Sequence, residues 1–216
     1  MSEITLTSPQ YKETIWPTMG LLRGFADWHV RWDAVARPDP APDFVLDVGG
    51  GVGAFTLICK RLWPRVQITI LEPNPATLPY LRHNVGDMNG VQILPFAASN
   101  FNGLKFLSTP KAEKMRDLWG RETFHGPPDS GVDVECRRLD DIIDDRVDIM
   151  KIDVEGHETQ CLEGGMRILE RHHPLIIVEV KKYLRGTRWD SRPILEETGY
   201  VFGGQIGQDF FYGWPQ

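Results

Sequence analysis

The sequence predicts an α/β fold built on a mostly parallel, doubly wound sheet. Three observations carry that expectation. From residue 44 onward, short apolar runs alternate with segments of helical periodicity, the rhythm of successive βαβ units. A glycine-rich turn, Asp47-Val48-Gly49-Gly50-Gly51-Val52-Gly53, lies between the first apolar run and the first helical segment, the place where such sheets bind ligands. Asp47, Glu72, Asp153 and Glu155 end or follow predicted strands, which gathers acids on one sheet edge. At 216 residues the chain has room for one domain with a modest appendage. We place the appendage at residues 1–43 and the main domain at residues 44–216.

Within the appendage, Leu21, Phe25, Trp28, Trp32 and Ala36 recur at three- and four-residue steps, which predicts an amphipathic N-terminal helix. The run RPDPAPD, Arg37 to Asp43, follows as a stiff linker. The helix either packs on the domain or acts as a lid that brings Trp28, His29 or Trp32 to a substrate. Phe44 to Val48 is a buried strand, and Ala54 to Trp63 a helix stopped by Pro64. Val66 to Leu71 is the second strand. Asn74 as N-cap and Pro75 at the first helical position open the next helix, which runs to about Asn84. Val91 to Phe96 is the third strand.

The rhythm breaks after strand three. A short strand over Leu104 to Leu107, a polar stretch with Trp119, His125 and Pro127-Pro128, and the alternating Val132 to Arg137 read as a hairpin insertion over about residues 103–138. A tip this long either covers a substrate or is a surface loop. Leu139 to Ile143 makes one or two helical turns, and Asp148 to Val154 is the fourth strand. Glu158 to Arg171 is a helix, although Gly164-Gly165 costs it about 1 kcal/mol each against alanine. Pro174 to Val180 is the fifth strand, Arg192 to Thr198 a helix ended by Gly199, and Tyr200 to Phe202 with Asp209 to Tyr212 complete the sheet.

Composition excludes several function classes. A formal net charge of −6 argues against a broad phosphate-binding face, so no nucleic-acid partner is expected. No stretch approaches the ~18 apolar residues of a membrane span. Cys59, Cys136 and Cys161 are odd in number and contain no CxxC pair, which gives neither a disulfide framework nor a metal knuckle and predicts a reduced, cytoplasmic protein.

Two cofactor classes use a turn like the one after strand one. Gly49, Gly51 and Ala54 fit the GxGxxA of a dinucleotide site, while Gly49, Gly51 and Gly53 fit the GxGxG that S-adenosylmethionine enzymes favour. Charge helps to separate them. A pyrophosphate wants positive field, and Asp47, two residues before the first glycine, opposes it. S-adenosylmethionine carries an ammonium and a sulfonium against one carboxylate, and gains from surrounding acids. Glu72, 19 residues after Gly53, is placed to accept hydrogen bonds from a ribose diol, which both cofactors contain. An NAD-dependent oxidoreductase and a noncatalytic nucleoside-binding domain therefore stand as alternatives.

The segment Asp153-Val154-Glu155-Gly156-His157-Glu158 packs two carboxylates and an imidazole into five residues. It can supply a general base, ligate a divalent ion, or cap the following helix; a divalent metal is not expected. Lys181-Lys182-Tyr183-Leu184-Arg185, with Arg188, Trp189 and Arg192, is either a solvated basic loop or a site for an anionic substrate.

Three blocks together resemble the FkbM-type S-adenosylmethionine-dependent methyltransferases. They are Leu46 to Gly53 (LDVGGGVG), Leu71 to Pro75 (LEPNP) and Lys151 to Glu158 (KIDVEGHE), with Arg138-Leu139-Asp140-Asp141 ahead of the third. The likeness covers about residues 44 to 180 and departs at Gly50-Gly51, where the family commonly has Ala-Asn. The resemblance implies a seven-stranded class I methyltransferase sheet, Rossmann-like, with its last strand antiparallel. It implies S-adenosyl-L-methionine as cofactor, and O-methylation of a hydroxyl on a small acceptor such as a sugar or natural product. By the same resemblance Asp47 and Gly49 to Gly53 surround the methionine part, Glu72 holds the ribose, Asn74 lies nearby, and Ala98-Ser99 approach the adenine. Asp153, Glu155 and His157 would face the transferring methyl. With an unperturbed pKa near 6.5, His157 is the expected proton acceptor.

Overall fold

The computed structural model describes residues 5–8, 11–15, 41–109, 123–124, 130–181, 185–187 and 190–215. Its framework is a mixed α/β sheet of seven strands. These are β3 (Phe44–Val48), β4 (Gln67–Leu71), β5 (Val91–Leu94), β9 (Ile149–Ile152), β10 (Leu175–Glu179), β11 (Val201–Ile206) and β12 (Asp209–Gly213), in the order β11-β12-β10-β9-β3-β4-β5. The pairs β10·β9, β9·β3, β3·β4 and β4·β5 are parallel, and β12 runs antiparallel to both β10 and β11.

The near-continuous apolar character of the central strands follows from burial on both faces. Because side chains alternate along a strand, Leu46 and Val48 join Met150, Ile152, Ile176 and Val178 in one core. That core packs on α4 (Glu158–Gly164), α5 (Met166–His172) and α6 (Arg192–Thr198) through Leu162, Leu169 and Leu195. Val45, Ile68, Ile70, Ile149 and Ile177 face the other way, against Phe55 and Cys59 of α1 (Ala54–Leu62) and Leu81 and Val85 of α2 (Leu78–Val85). Asp47 shares the α1 face and meets Thr56 there.

The insertion after strand three forms the hairpin expected of it: β7 (Gly103–Ser108) pairs antiparallel with β8 (Gly131–Arg137). Strand β8 also pairs in parallel with β6 (Ala97–Ala98), making a small second sheet. The one helical turn that follows is α3 (Leu139–Ile142). Ahead of the domain, β1 (Thr5–Ser8) and β2 (Tyr11–Ile15) pair antiparallel, a hairpin that periodicity does not announce; the expected helix over residues 21–36 lies outside the described residues. All three cysteines are buried and unpaired, and no helix among the described residues is long and apolar enough to cross a membrane.

Two boundaries differ from expectation for visible reasons. The helix expected to open at Asn74 and Pro75 begins at Leu78, because Asn74 closes a turn first. Its side-chain oxygen accepts the Ala76 N–H at 2.9 Å, and its carbonyl accepts those of Thr77 and Leu78. The helix expected over Glu158 to Arg171 breaks in two at Gly165. Asp140 starts the second piece by accepting the Arg167 and Ile168 N–H groups at 3.0 and 3.2 Å. Gly164 is required where α4 crosses β6: a Cβ there would fall 1.9 Å from the Ser99 carbonyl oxygen.

Gly164→Ala is therefore expected to destabilise the fold by about 2 to 3 kcal/mol, through overpacking against rigid backbone. Chemical denaturation of the two proteins measures it, and a change below about 0.5 kcal/mol would mean that α4 can shift away from Ser99.

Candidate active site

A cavity of about 710 Å³ opens over the C-terminal ends of β3, β4, β9 and β10. The glycine turn forms one wall. Gly49 and Gly50 both donate their N–H to the Leu71 carbonyl, at 2.9 and 3.1 Å, which pins the exit of β3 to the end of β4. Gly49 has φ +83°, and a Cβ on it would lie 1.9 Å from the Asp153 carbonyl oxygen. Gly53 stands outside the cavity lining as the N-cap of α1.

Glu72 is held by backbone. Its Oε2 accepts the Gly51 N–H at 2.9 Å and its Oε1 the Asn74 N–H at 2.8 Å. An ionised carboxylate has roughly four acceptor positions, so both oxygens keep capacity for ligand hydroxyls. Asp47 is fully buried. Its Oδ2 accepts the Thr56 hydroxyl at 2.8 Å, while its Oδ1 has no hydrogen-bond partner among the described residues. Burial pushes the Asp47 carboxyl above the usual range, against the pull of Lys151 and the Thr56 hydroxyl. A buried acceptor left open on a cavity wall calls for a ligand donor.

The opposite end of the cavity holds acids interleaved with lysines. Parallel pairing of Ile152 with Val178 sets Asp153 beside Glu179, the last residue of β10, and the two carboxyls share a hydrogen bond. Lys151 Nζ lies 3.1 Å from Asp153 Oδ2. Lys181 Nζ bridges Glu155 Oε2 at 2.8 Å and Glu179 Oε2 at 2.5 Å. From the β11–β12 turn, Gln208 Nε2 donates to Glu179 Oε1 at 3.3 Å. Burial works against the Asp153 charge, but Lys151, Glu179 and Lys181 outweigh it and hold that carboxyl below its ordinary value. Burial first, and then the Asp153 charge, push Glu179 up to about 8. The oxygens of Asp153, Glu155 and Glu179 come within 4.8 Å of one another, and Lys151 and Lys181 offset part of the negative charge of these three acids.

The turn after Asp153 is strained. Glu155 has φ +53° and Gly156 φ +100°, and a left-handed non-glycine residue persists only where its surroundings hold it. Glu158, buried at the start of α4, is that hold: its Oε1 accepts the Gly156 N–H at 2.9 Å and the Val154 N–H at 3.3 Å. Burial pushes Glu158 up to about 7 despite those two donors.

Of the predicted site residues, Asp47, Gly49, Gly51, Glu72, Asn74, Ala98, Asp153 and Glu155 line the cavity together. His157 and Ser99 do not. The His157 ring is 1% exposed, because the turn carries it behind the wall. There its Nε2 and the Ser99 hydroxyl share a hydrogen bond of 3.0 Å, and the Phe124 ring lies 4.6 Å away. His157, expected to face the transferring methyl, and Ser99, expected to approach the adenine, are thus placed behind the residues that line the cavity. Phe124 brings the insertion to the cavity wall; Trp119 and His125 lie outside the described residues. In the basic stretch Lys181 is committed to the two glutamates and Arg192 to Asp190, at 2.6 Å, while Arg185 lies over the Phe210 ring. Lys182 to Leu184, Arg188 and Trp189 lie outside the described residues.

Sequence reasoning missed Lys151, Glu179, Phe124, Gln208 and Asp209 as cavity residues. Glu179 was within reach, since it ends an apolar strand just as Asp153 does. Phe124 and Gln208 arrive through tertiary folding and carry no local signal.

The family model of the methyltransferase FkbM domain matches residues 47–202. The chain is 29% identical to methyltransferase sdnD of Sordaria araneosa, the match covering 74% of each protein. It is 27% identical to the 2-O-methyltransferase NoeI of Sinorhizobium fredii, covering 62% of this chain and 61% of that one. Among solved structures, the fold is similar to the methyltransferase FkbM from Methylobacillus flagellatus, with a TM-score of 0.57 at 17% identity. That match covers 79% of this chain but 43% of the solved one, so the chain spans less than half of that protein.

The Glu158 carboxyl gives a pH signature. A group whose pKa is raised on folding contributes stability at low pH that is lost as pH rises through its folded value. Relative to Glu158→Gln, which keeps an acceptor oxygen for the two N–H groups, the wild type should lose about 3 kcal/mol between pH 4.5 and 8. Urea unfolding of both proteins at the two pH values measures the difference, and parallel pH dependences would mean that Glu158 is ionised at little cost.

Proposed function

Because this chain belongs to the FkbM methyltransferase family, we propose that it moves a methyl group from S-adenosyl-L-methionine to a hydroxyl of a small sugar-like or natural-product-like acceptor. We assign the activity to residues 44–216, with residues 1–43 as an appendage. The observation that carries the cofactor reading is the pair of acids on the glycine-turn wall. Glu72 is already fixed by two backbone donors, and Asp47 Oδ1 is buried and open. When bound, S-adenosylmethionine supplies an electrophilic methyl group on a sulfonium, which an acceptor oxygen displaces in line.

The residues divide this work along the sheet edge. Glu72 accepts hydrogen bonds from the ribose diol, with Asn74 beside it. Gly49 and Gly51 let the backbone approach the methionine part without a side chain in the way, and Asp47 accepts a donor from it. Ala98, small and apolar, leaves space for the flat base. Asp153 and Glu155 border the acceptor. Most of the rate comes from aligning the acceptor oxygen with the methyl carbon, and removal of the hydroxyl proton falls to a cavity carboxylate. His157, behind the wall, serves instead as a positioning residue that ties the strained turn to Ser99. The acceptor class draws support from the 2-O-methyltransferase relative and from a polar, acid-lined far end, which suits hydroxyl donors.

S-adenosylmethionine or its demethylated product at about 100 times its Kd should stabilise the chain by ~2.7 kcal/mol, about 5 to 10 °C in Tm, and NAD should leave the melt unchanged. A shift with NAD alone would reverse the assignment. Glu72→Ala should weaken cofactor binding by about 1 to 3 kcal/mol in calorimetry, and an unchanged Kd would remove Glu72 from the site. Incubating the protein with methyl-labelled donor and a panel of sugars and phenolic alcohols tests the reaction itself, and label in no acceptor would argue against methyl transfer.

A further inference from the structure

We propose that Glu179 is the catalytic residue that takes the proton from the acceptor hydroxyl, an inference that rests on the methyl-transfer reading. Placement supports it first. Glu72 ends the strand at one side of the cavity and Glu179 ends a strand three positions along the sheet, β4-β3-β9-β10, roughly 14 Å away at one strand spacing per step. The glycine turn and Asp47 on β3 and Asp153 after β9 lie between them. With the ribose held at β4 and the methionine part at β3, the end of the cavity left for the acceptor is the one that Glu179 lines.

The neighbours then separate Glu179 from the other carboxylates there. Asp153 has Lys151 Nζ at 3.1 Å, which matches its negative charge and makes it a weak base, whereas Glu155 and Glu179 divide one lysine, Lys181, and of those two Glu179 is the one set beside the Asp153 carboxylate. Glu179 faces that carboxylate just past the end of the adjoining strand, with Gln208 of the β11–β12 turn and Asp209, the first residue of β12, completing the cavity beside it. One lysine between two glutamates, next to a third acid, leaves the ionised Glu179 the most costly of the three to hold, and so the readiest to accept a proton.

The step balances in atoms and charge. The acceptor oxygen bonds to the methyl carbon as the carbon–sulfur bond breaks, and the bonding pair stays on sulfur, which becomes a neutral thioether. The hydroxyl proton passes to the Glu179 carboxylate. A sulfonium and a carboxylate disappear together, so the buried acid sheds its charge in the same step. Solvent takes the proton after product leaves.

Two measurements decide the proposal. In the first, carboxyl-¹³C-labelled protein bound to the demethylated cofactor is titrated by NMR, with Glu179→Gln identifying the resonance. A midpoint between pH 7 and 9 is expected, and one below pH 5 would overturn the proposal without any acceptor in hand. In the second, Glu179→Gln and Glu179→Asp are assayed on an acceptor that the wild type methylates. The glutamine variant should bind S-adenosylmethionine within twofold of wild type, lose ~10²-fold in kcat and lose the rise of kcat with pH near 8, while the aspartate variant recovers part of the rate and the pH limb. Full turnover with the pH limb intact in Glu179→Gln would overturn the assignment while methyl transfer stood. A wild-type protein that binds the cofactor yet methylates no acceptor would bring down the methyl-transfer reading, and this role with it.

Discussion

The backbone of Gly49 lies against the carbonyl of Asp153 so closely that no side chain fits between them. This contact joins the turn leaving β3 to the turn leaving β9, and both halves of the site are hung from it. On one side it fixes the glycine turn, whose next residues are tied to Leu71 and Glu72. On the other it fixes the start of the Asp153–His157 turn, which Glu158 then holds in its strained form. A shift of either strand exit would move Glu72 and the glycine turn relative to Asp153 and Glu155, and would change the shape of the cavity that they line together.

Electrostatics along the cavity follow from the same framework. Acids at strand ends are a cheap way to favour a cationic ligand, yet a row of them repels itself. Lys151 and Lys181 enter the row between the acids, each within salt-bridge distance of at least one carboxylate. Lys151 keeps its charge because Asp153, Asp47 and Asp209 together outweigh the cost of burying it. The result is a graded wall. Asp153 is firmly ionised, while Glu179 and the buried Glu158 and Asp47 stand above the ordinary carboxylate range.

The parts legible in the sequence are those where local pattern and tertiary need coincide. The central strands of the sheet are buried on both faces and read as apolar runs, and the glycine turn is readable because close approach at Gly49, Gly50 and Gly53 leaves little room for a side chain. Glu72 and Asp153 could be placed because each directly follows such a run. His157 misled for a definite reason. Its spacing from Asp153 puts it in the next turn, and only the φ reversal at Glu155 and Gly156 decides that the ring goes behind the wall. Lys151 sits inside an apolar strand and reads as an interruption until Asp47, Asp153 and Asp209 are seen around it. The division of α4 from α5 depends on a carboxylate from Asp140, 26 residues before the first residue of α5, which no helical periodicity records.

Phe124 from the insertion and Gln208 with Asp209 from the last hairpin line the cavity, and neither segment belongs to the parallel strands whose ends carry Asp47, Glu72 and Asp153. The cavity thus has a wall built on the parallel strands and a rim supplied by separate segments. Change confined to the rim can reshape the mouth of the cavity while leaving the wall built on the parallel strands, and the core that supports it, mechanically undisturbed. Such a layout lets loop turnover alone alter what the cavity admits.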